Sequence, residues 1–138
     1  MENAWRLLDE PEASAGFNER LARIEIRSCG PGAAMARIAT SAADANAMGG
    51  LHGGFLAAVG EQCLCVPLYL DGRISRAGCV AVDYAMKYLA GGAAGVALEV
   101  EITTLRETGR LGFISGMMRQ NGELIAMFSG TLRKLPRG

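Results

Sequence analysis

The sequence has a single histidine, few aromatic residues and no excess of charge of either sign. Among its 138 residues, 14 are basic and 14 are acidic, so the formal net charge is zero. A nucleic-acid-binding domain needs a basic surface and usually base-stacking aromatic side chains, and aromatic residues make up only 6% of this chain. The composition therefore argues against nucleic acid or an anionic membrane surface as a partner.

Signals for metal binding, secretion and serine hydrolysis are also missing. Four cysteines are present, but their spacing fits no metal site and a single histidine accompanies them, which favours reduced thiols and predicts no metal. The first residues lack the basic and then apolar order of a signal peptide, and no apolar run approaches the length of a membrane span. No Gly-x-Ser-x-Gly motif occurs. We therefore expect a cytoplasmic protein with no membrane segment.

The length and the apolar pattern predict one α+β domain. Half of the residues are hydrophobic, which is enough for a core. Residues 1–15 are expected to form an N-terminal arm or short helix, and residues 16–138 a single domain. Alternating or continuous apolar runs predict strands at 24–27, 33–40, 78–89, 96–103, 111–119 and 124–133.

One helix is predicted between the second and third of these strands. It begins at His52 and runs to about Val66, where Pro67 is expected to stop it. Its residues are apolar nearly all round, so other elements must enclose it. The simplest arrangement is an antiparallel sheet of about six strands that curls around this central helix.

The functional signal lies in the segment Asn-Ala-Met-Gly-Gly-Leu-His-Gly-Gly at 46–54 and in the acid Glu61. Adjacent glycines at a helix start leave backbone N–H groups uncovered at the positive end of the helix dipole, where an anion or oxyanion binds. Glu61 lies in an otherwise apolar stretch, and no basic residue occurs between Arg37 and Arg73 to pair with it. Such a carboxylate usually has a partner or a chemical role. Oxyanion donors and a carboxylate base or nucleophile are the minimal requirement for acyl transfer.

Each of these residues also has a structural interpretation. Gly53 and Gly54 suit a tight turn from loop to helix, and Asn46 is an ordinary turn residue. His52 could polarise a carbonyl group or bond the backbone at the helix start. We interpret Asn46 and Gly53 as carbonyl-binding donors because Glu61 accompanies them.

Helix geometry separates the two halves of this candidate site. Eight residues of helix place Gly53 and Glu61 roughly 12 Å apart along the axis and about 80° apart around it. A carboxylate must come within roughly 3 Å of its target atom. The two groups therefore cannot act on one carbonyl within one chain, and the motif predicts a site that is shared across a homodimer.

The order of elements and the spacing of Asn46, His52, Gly53 and Glu61 resemble hotdog-fold acyl-CoA thioesterases of the phenylacetate-degradation, or PaaI-like, type. The resemblance covers nearly the whole chain from about residue 17. It implies that Asn46 and the Gly53 amide hold the thioester carbonyl, while the acid of the partner subunit acts as nucleophile or general base. It also implies an obligatory homodimer, arranged as a dimer of dimers, with no separate cofactor because coenzyme A is part of the substrate.

The resemblance also assigns candidate roles further along the chain. Many members have a Ser or Thr one helical turn past the acid, where it assists the attacking water; Cys65 occupies that position here, and core packing is its alternative role. CoA-binding candidates on the later strands and turns are Tyr88, Arg106, Gly109, Arg110 and Arg133. Solvated turn arginines are the alternative interpretation of the basic members of that set.

The expected activity is hydrolysis of a small aromatic or medium-chain acyl-CoA to the free acid and CoA. Two alternatives remain open on sequence grounds. A hotdog dehydratase or hydratase needs a histidine with an acid, and it would have to use His52. A non-catalytic acyl-CoA-binding module is the other alternative, suggested by the missing hydroxyl at Cys65.

Overall fold

An antiparallel sheet dominates the computed structural model of the chain, which describes residues 4–9 and 16–136. Its seven strands are β1 (Arg6–Leu7), β2 (Glu25–Ser28), β3 (Ala33–Ile38), β4 (Cys79–Tyr88), β5 (Leu98–Glu107), β6 (Leu111–Gln120) and β7 (Glu123–Lys134). Their order across the sheet is β1-β2-β3-β5-β6-β7-β4. Short 3₁₀ turns at Gly16–Leu21 and Ala42–Asp44 precede two consecutive helices, α1 (Gly53–Cys63) and α2 (Val66–Leu70).

The helices pack against one apolar face of the sheet. Along β5, the side chains of Leu98, Val100 and Ile102 are buried while the intervening residues face solvent, as the two-residue period of a strand requires. Helix α1 buries Leu56 and Val59 against this face. The α+β class, the antiparallel sheet and the central helix predicted from the sequence are confirmed, with one short additional strand.

That additional strand lies in the segment that was predicted to be an N-terminal arm or short helix. Arg6 and Leu7 pair with Ile26 and Glu25 of β2, so this part of the predicted arm is extended rather than helical. Leu8, which follows, is buried in the core. The rest of the predicted arm, residues 1–3 and 10–15, lies outside the described residues.

The predicted end of the helix at Pro67 is wrong. Leu64 and Cys65 keep helical backbone angles, and Pro67 lies in the first turn of α2. Proline is tolerated there because its missing N–H would have no partner within the helix. The combined segment Gly53–Leu70 has 18 residues and a mean hydropathy of 1.3, long and apolar enough to cross a membrane. The expectation that no apolar run has that length is therefore wrong, although half of this segment is buried by the protein, as is usual for a core helix.

Strand β4 forms one edge of the sheet and packs beside α1. It pairs with β7 on one side, and no other described strand lies on its other side. Val80 and Val82 on this strand are 46% and 54% exposed. An edge of ten residues with exposed apolar side chains is a surface that proteins usually cover.

Candidate functional site

Asn46 lies in the loop before α1, and its amide is oriented by the loop itself. Its Oδ1 accepts hydrogen bonds from the backbone N–H of Met48 at 2.9 Å and of Gly50 at 3.1 Å. Because both partners are donors, the atom that faces them must be the oxygen. The Nδ2 group has no acceptor among the described residues, so a hydrogen-bond donor is left available at a fixed position.

Asp44 stabilises the same loop through hydrogen bonds and ion pairs. Its buried carboxylate binds Arg20 at 2.8 Å and Arg23 at 2.9 Å, and it also accepts the backbone N–H of Ser41 at 3.0 Å. Its carbonyl oxygen accepts the backbone N–H of His52 at 2.8 Å. Sequence reasoning missed Asp44, although Ser41-x-x-Asp44 is a capping-box pattern that could have revealed it.

Two side chains bind polar groups of the backbone at the start of α1. The His52 Nδ1 atom accepts the N–H of Gly54 at 2.8 Å, and the Tyr88 hydroxyl donates to the carbonyl oxygen of Gly53 at 2.8 Å. The Gly53 N–H, at the first helical position, has no acceptor within residues 4–9 and 16–136. The helix start therefore presents the Gly53 N–H without a partner at the positive end of the helix dipole, as the sequence predicts.

His52 has the role of a helix cap in this arrangement. Since Nδ1 is an acceptor, a neutral ring carries its proton on Nε2. Of the two roles left open by the sequence, bonding to the backbone at the helix start is the one that the geometry supports.

Tyr88 packs closely on Gly53. A Cβ atom built on Gly53 would lie 3.3 Å from Cζ of Tyr88, closer than most contacts of this kind. The tyrosine ring therefore rests directly on the backbone that carries the free N–H. Tyr88 itself is 52% exposed, so its ring also faces solvent beside this N–H.

Glu61 lies toward the other end of α1, and its side chain is exposed rather than buried. The carboxylate has no hydrogen bond or ion pair within the described part of the chain. It lines a cavity of about 450 Å³ together with Cys65, Arg76 and the first residues of β4. Arg76, a basic side chain in that cavity, instead binds Asp9 at 2.7 and 2.9 Å. The apolar sequence around Glu61 wrongly suggested burial, but the expected lack of a local basic partner is observed.

Strand β4 lies beside both the Gly53 N–H and the Glu61 carboxylate, but it does not bring these two groups together. Its first residues, Cys79 to Ala81, line the Glu61 cavity, whereas Tyr88 at its end contacts Gly53. The strand thus runs antiparallel to α1, and the free N–H and the free carboxylate lie at opposite ends of both elements.

Cys65 is buried and lines the cavity of Glu61. Its thiol donates to the carbonyl oxygen of Gln62 at 3.6 Å and accepts a bond from the Arg76 guanidinium at 3.6 Å. Because Cys65 lines the cavity, it is placed to assist an attacking water, and because it also has protein partners, it can serve in core packing. The geometry is compatible with both of these roles.

The basic CoA-binding candidates fall into two cavities. Arg110 and Arg133, with Gly109, line a cavity of about 590 Å³ that also contains Arg73 and Lys134. Arg106 lines a separate cavity together with Asp71 and Glu107. Neither Arg110 nor Arg133 forms an ion pair with another described residue, so both are available to an anion.

Glu107 binds the other two cations of the Arg110 cavity. Its carboxylate binds Lys134 and, at 3.1 Å, Arg73. The hydrogen bond from Lys134, assisted by that from Arg73, lowers the pKa of Glu107 below its ordinary value. The basic cavity adjoins the Glu61 cavity, since Ser75 and Gly78 line the first and Arg76 and Cys79 line the second.

No protein-family model matches the chain, and no curated protein sequence matches it. Several solved structures, in contrast, match most of its length. The protein TT0310 of Thermus thermophilus has 26% identity and a TM-score of 0.72, over 86% of this chain and 97% of that one. A mutant of the phenylacetic acid degradation protein PaaI of the same organism has 25% identity and a TM-score of 0.73, over 86% of this chain and 98% of that one. Thioesterase superfamily member 2 of Mus musculus has 22% identity and a TM-score of 0.73, over 85% and 86%. The hotdog fold and the resemblance to PaaI-type proteins are thereby confirmed.

Proposed function

We propose that this PaaI-like hotdog chain hydrolyses acyl-CoA thioesters to a free acid and CoA. One observation carries the proposal: the Gly53 N–H and the Asn46 Nδ2 at the start of α1, and the carboxylate of Glu61, have no hydrogen-bond or ion-pair partner among the described residues. Solved structures of similar fold include proteins that are named PaaI and thioesterase superfamily members, which agrees with this interpretation.

In the proposed reaction, the thioester carbonyl binds with its oxygen at the Gly53 N–H and the Asn46 Nδ2. Glu61 either removes a proton from an attacking water or attacks the carbonyl carbon itself. The C–S bond then breaks and CoA leaves as the thiolate. Each oxyanion donor is worth about 3–4 kcal/mol of transition-state stabilisation, so the loss of either one should slow the chemical step by about 100- to 1000-fold.

The site is shared between two subunits in this proposal, and the edge strand supports a specific arrangement. If the free edges of two β4 strands pair antiparallel about a two-fold axis, the start of one strand faces the end of the other. The end of β4 contacts Gly53 and its start lines the Glu61 cavity. The pairing therefore brings Gly53 of the partner subunit toward Glu61, and it covers the exposed Val80 and Val82. Association of two such dimers into a tetramer is part of the same proposal.

The substrate's nucleotide end is assigned to the cavity of Arg110 and Arg133. Phosphate groups favour guanidinium partners, and these two have no ion pair with another described residue. A CoA bound there would extend toward the adjoining Glu61 cavity. Replacement of both arginines by alanine should raise KM for acyl-CoA about tenfold, the loss of roughly 1.4 kcal/mol of binding. The KM for an acyl-pantetheine thioester, which lacks the nucleotide, should stay the same, and Arg119→Ala, which alters a pair with Glu101 instead, is the matched control.

The acyl group is proposed to be small and aromatic or of medium length. A panel of acyl-CoA substrates, assayed by thiol release, identifies it and also provides the activity assay for all variants. A dehydratase is the less favoured activity because it needs a histidine paired with an acid, and the only side-chain hydrogen bond of His52 among the described residues is with the N–H of Gly54.

Glu61→Gln tests the catalytic assignment, because it replaces a base with a neutral group of the same shape. Turnover should fall by at least about 100-fold while the fold and the oligomer persist. Glu123→Gln, at the exposed start of β7, is the matched control and should keep wild-type activity. Near wild-type turnover in Glu61→Gln would refute the assignment, and CoA binding without turnover in the wild type would favour a binding module.

A single-turnover experiment in H₂¹⁸O separates the two roles of Glu61. If the carboxylate is the nucleophile, it forms a mixed anhydride with the acyl group, and one ¹⁸O atom enters Glu61 when water attacks the glutamyl carbonyl carbon of that intermediate. If it is a general base, the isotope appears in the product acid alone.

A further inference from the structure

Cys65, Cys79 and Arg76 form a cluster that the proposed hydrolysis does not require. All three line the Glu61 cavity. The thiols of Cys65 and Cys79 lie close enough that each affects the pKa of the other, and the Arg76 guanidinium lies 3.6 Å from the Cys65 sulfur. Two neighbouring thiols that line one cavity beside a cation are a reactive arrangement rather than simple core packing.

The two thiols differ in exposure and acidity. Cys79, the first residue of β4, is half-buried, whereas Cys65 is buried. The interaction with the Cys65 thiol lowers the pKa of Cys79, and the charge of Arg76 acts in the same direction. The same interaction and burial raise the pKa of Cys65. Cys79 is therefore the thiol that more readily becomes a nucleophilic thiolate.

We propose that Cys79 is an oxidation site for hydroperoxides and that Cys65 resolves the oxidised form into a disulfide. In the first step the Cys79 thiolate attacks one oxygen of hydrogen peroxide, the O–O bond breaks, and sulfenic acid and hydroxide form. In the second step the Cys65 sulfur attacks the sulfenic sulfur, its proton leaves with the hydroxyl group as water, and the S–S bond forms. Peroxide is the oxidant, and the two sulfurs together lose two electrons.

The remaining cysteines are internal controls. Cys29 is exposed in a turn and has no second thiol as a partner among the described residues. Cys63 is buried, and this burial raises the pKa of its thiol to about 12, so it stays protonated. Exposure alone would favour oxidation of Cys29, whereas the paired geometry favours Cys79.

The experiment treats the purified full-length protein with hydrogen peroxide and maps the thiols by mass spectrometry after trypsin digestion without reduction. Cleavage after arginine and lysine yields a peptide of residues 38–73, which contains Cys65, and one of residues 77–87, which contains Cys79. We expect these two peptides to become linked, and the link to persist in Cys63→Ser and disappear in Cys65→Ser. In Cys65→Ser, dimedone should label Cys79 as the trapped sulfenic acid.

Oxidation of Cys29 before Cys79 would overturn the proposal, and so would over-oxidation of wild-type Cys79 to the sulfinic acid without a link to Cys65. Circular dichroism of each variant establishes that the mapped chemistry is that of the folded protein. This chemistry does not depend on the proposed hydrolysis, because peptide mapping reads the thiols directly.

Discussion

The hydroxyl of Tyr88 donates a hydrogen bond to the carbonyl oxygen of Gly53 at 2.8 Å, across the start of α1. On the other side of the same peptide unit, His52 accepts the N–H of Gly54, also at 2.8 Å. The first turn of the helix is thus held from both sides by two side chains. The free Gly53 N–H belongs to the preceding peptide unit, whose His52 carbonyl oxygen accepts the N–H of Leu56 at 3.1 Å, so the peptide units on both sides of Gly53 are hydrogen-bonded. The proposed reaction uses this N–H as an oxyanion donor.

Tyr88→Phe should lower kcat and leave KM nearly unchanged. The substitution keeps the ring on Gly53 and removes one hydrogen bond of about 0.5–1.5 kcal/mol, so kcat should fall by about two- to tenfold. The melting temperature should change little because Tyr88 is half exposed. Steady-state kinetics with Tyr69→Phe as the matched control provide the measurement. A rise in KM at constant kcat would instead support CoA binding as the function of Tyr88.

Subunit exchange should restore activity to two inactive variants. A dimer of one Glu61→Gln subunit and one Asn46→Ala subunit contains one site with both an intact carboxylate and intact donors. Because random exchange makes half of the dimers mixed, the recovered activity should approach about a quarter of wild type. The measurement is thiol release after the two proteins are unfolded and refolded together.

Each variant taken alone through the same refolding is the control and should stay inactive. Native mass spectrometry must show mixed dimers. If it does and no activity returns, the carboxylate and the donors act within one chain and the shared site is wrong.

The sequence was most informative where local rules decide the structure. Asn121 and Gly122 were predicted as a hairpin turn, and their φ angles of 49° and 81° are those of a type I′ turn between β6 and β7. The sequence likewise placed Gly53 and Glu61 eight residues apart on one helix, because helix geometry is determined by local hydrogen bonds.

The sequence was least informative where distant segments meet. Pro67 stops a helix when considered alone, but here it begins a second helix that the sheet packs against. The burial of Asp44 depends on Arg20 and Arg23, more than 20 positions away in the chain. Glu61 is flanked by apolar residues, yet its exposure is determined by where the edge of the sheet ends. No local pattern encodes those contacts.

Glu107 should make the stability of the protein depend on pH in acid. Since its pKa in the folded protein is lowered, its contribution is present above the ordinary glutamate pKa of about 4.3 and is lost as the pH falls through the lower folded value. The effect should stay under about 1 kcal/mol because the partner Arg73 is largely exposed. Thermal unfolding of wild type and Glu107→Gln should differ at pH 7 and converge in strong acid. A difference that persists unchanged at low pH would assign the effect to packing instead.

Gly60 and Tyr84 are expected to set the distance between α1 and β4, and therefore the position of Glu61, the next residue. A Cβ atom on Gly60 would overlap the Tyr84 hydroxyl and lie 3.1 Å from side-chain atoms of Met118 and Phe128. Gly60→Ala gains about 1 kcal/mol of helix propensity, but overpacking costs about 1–3 kcal/mol, so the variant should be less stable than wild type.

The double variant Gly60→Ala, Tyr84→Phe should recover part of that loss, because removal of the hydroxyl frees the space that the methyl group needs. Gly91→Ala is the matched control, since its Cβ would meet nothing within 4 Å. Denaturant unfolding of the wild type, Gly60→Ala, Tyr84→Phe and the double variant forms a double-mutant cycle. It should give a coupling free energy of about 0.5–3 kcal/mol between positions 60 and 84. If Gly60→Ala is as stable as Gly91→Ala, Tyr84 moves aside without cost. In that case the closeness of helix and strand does not depend on this glycine, and hydrolysis should survive the substitution.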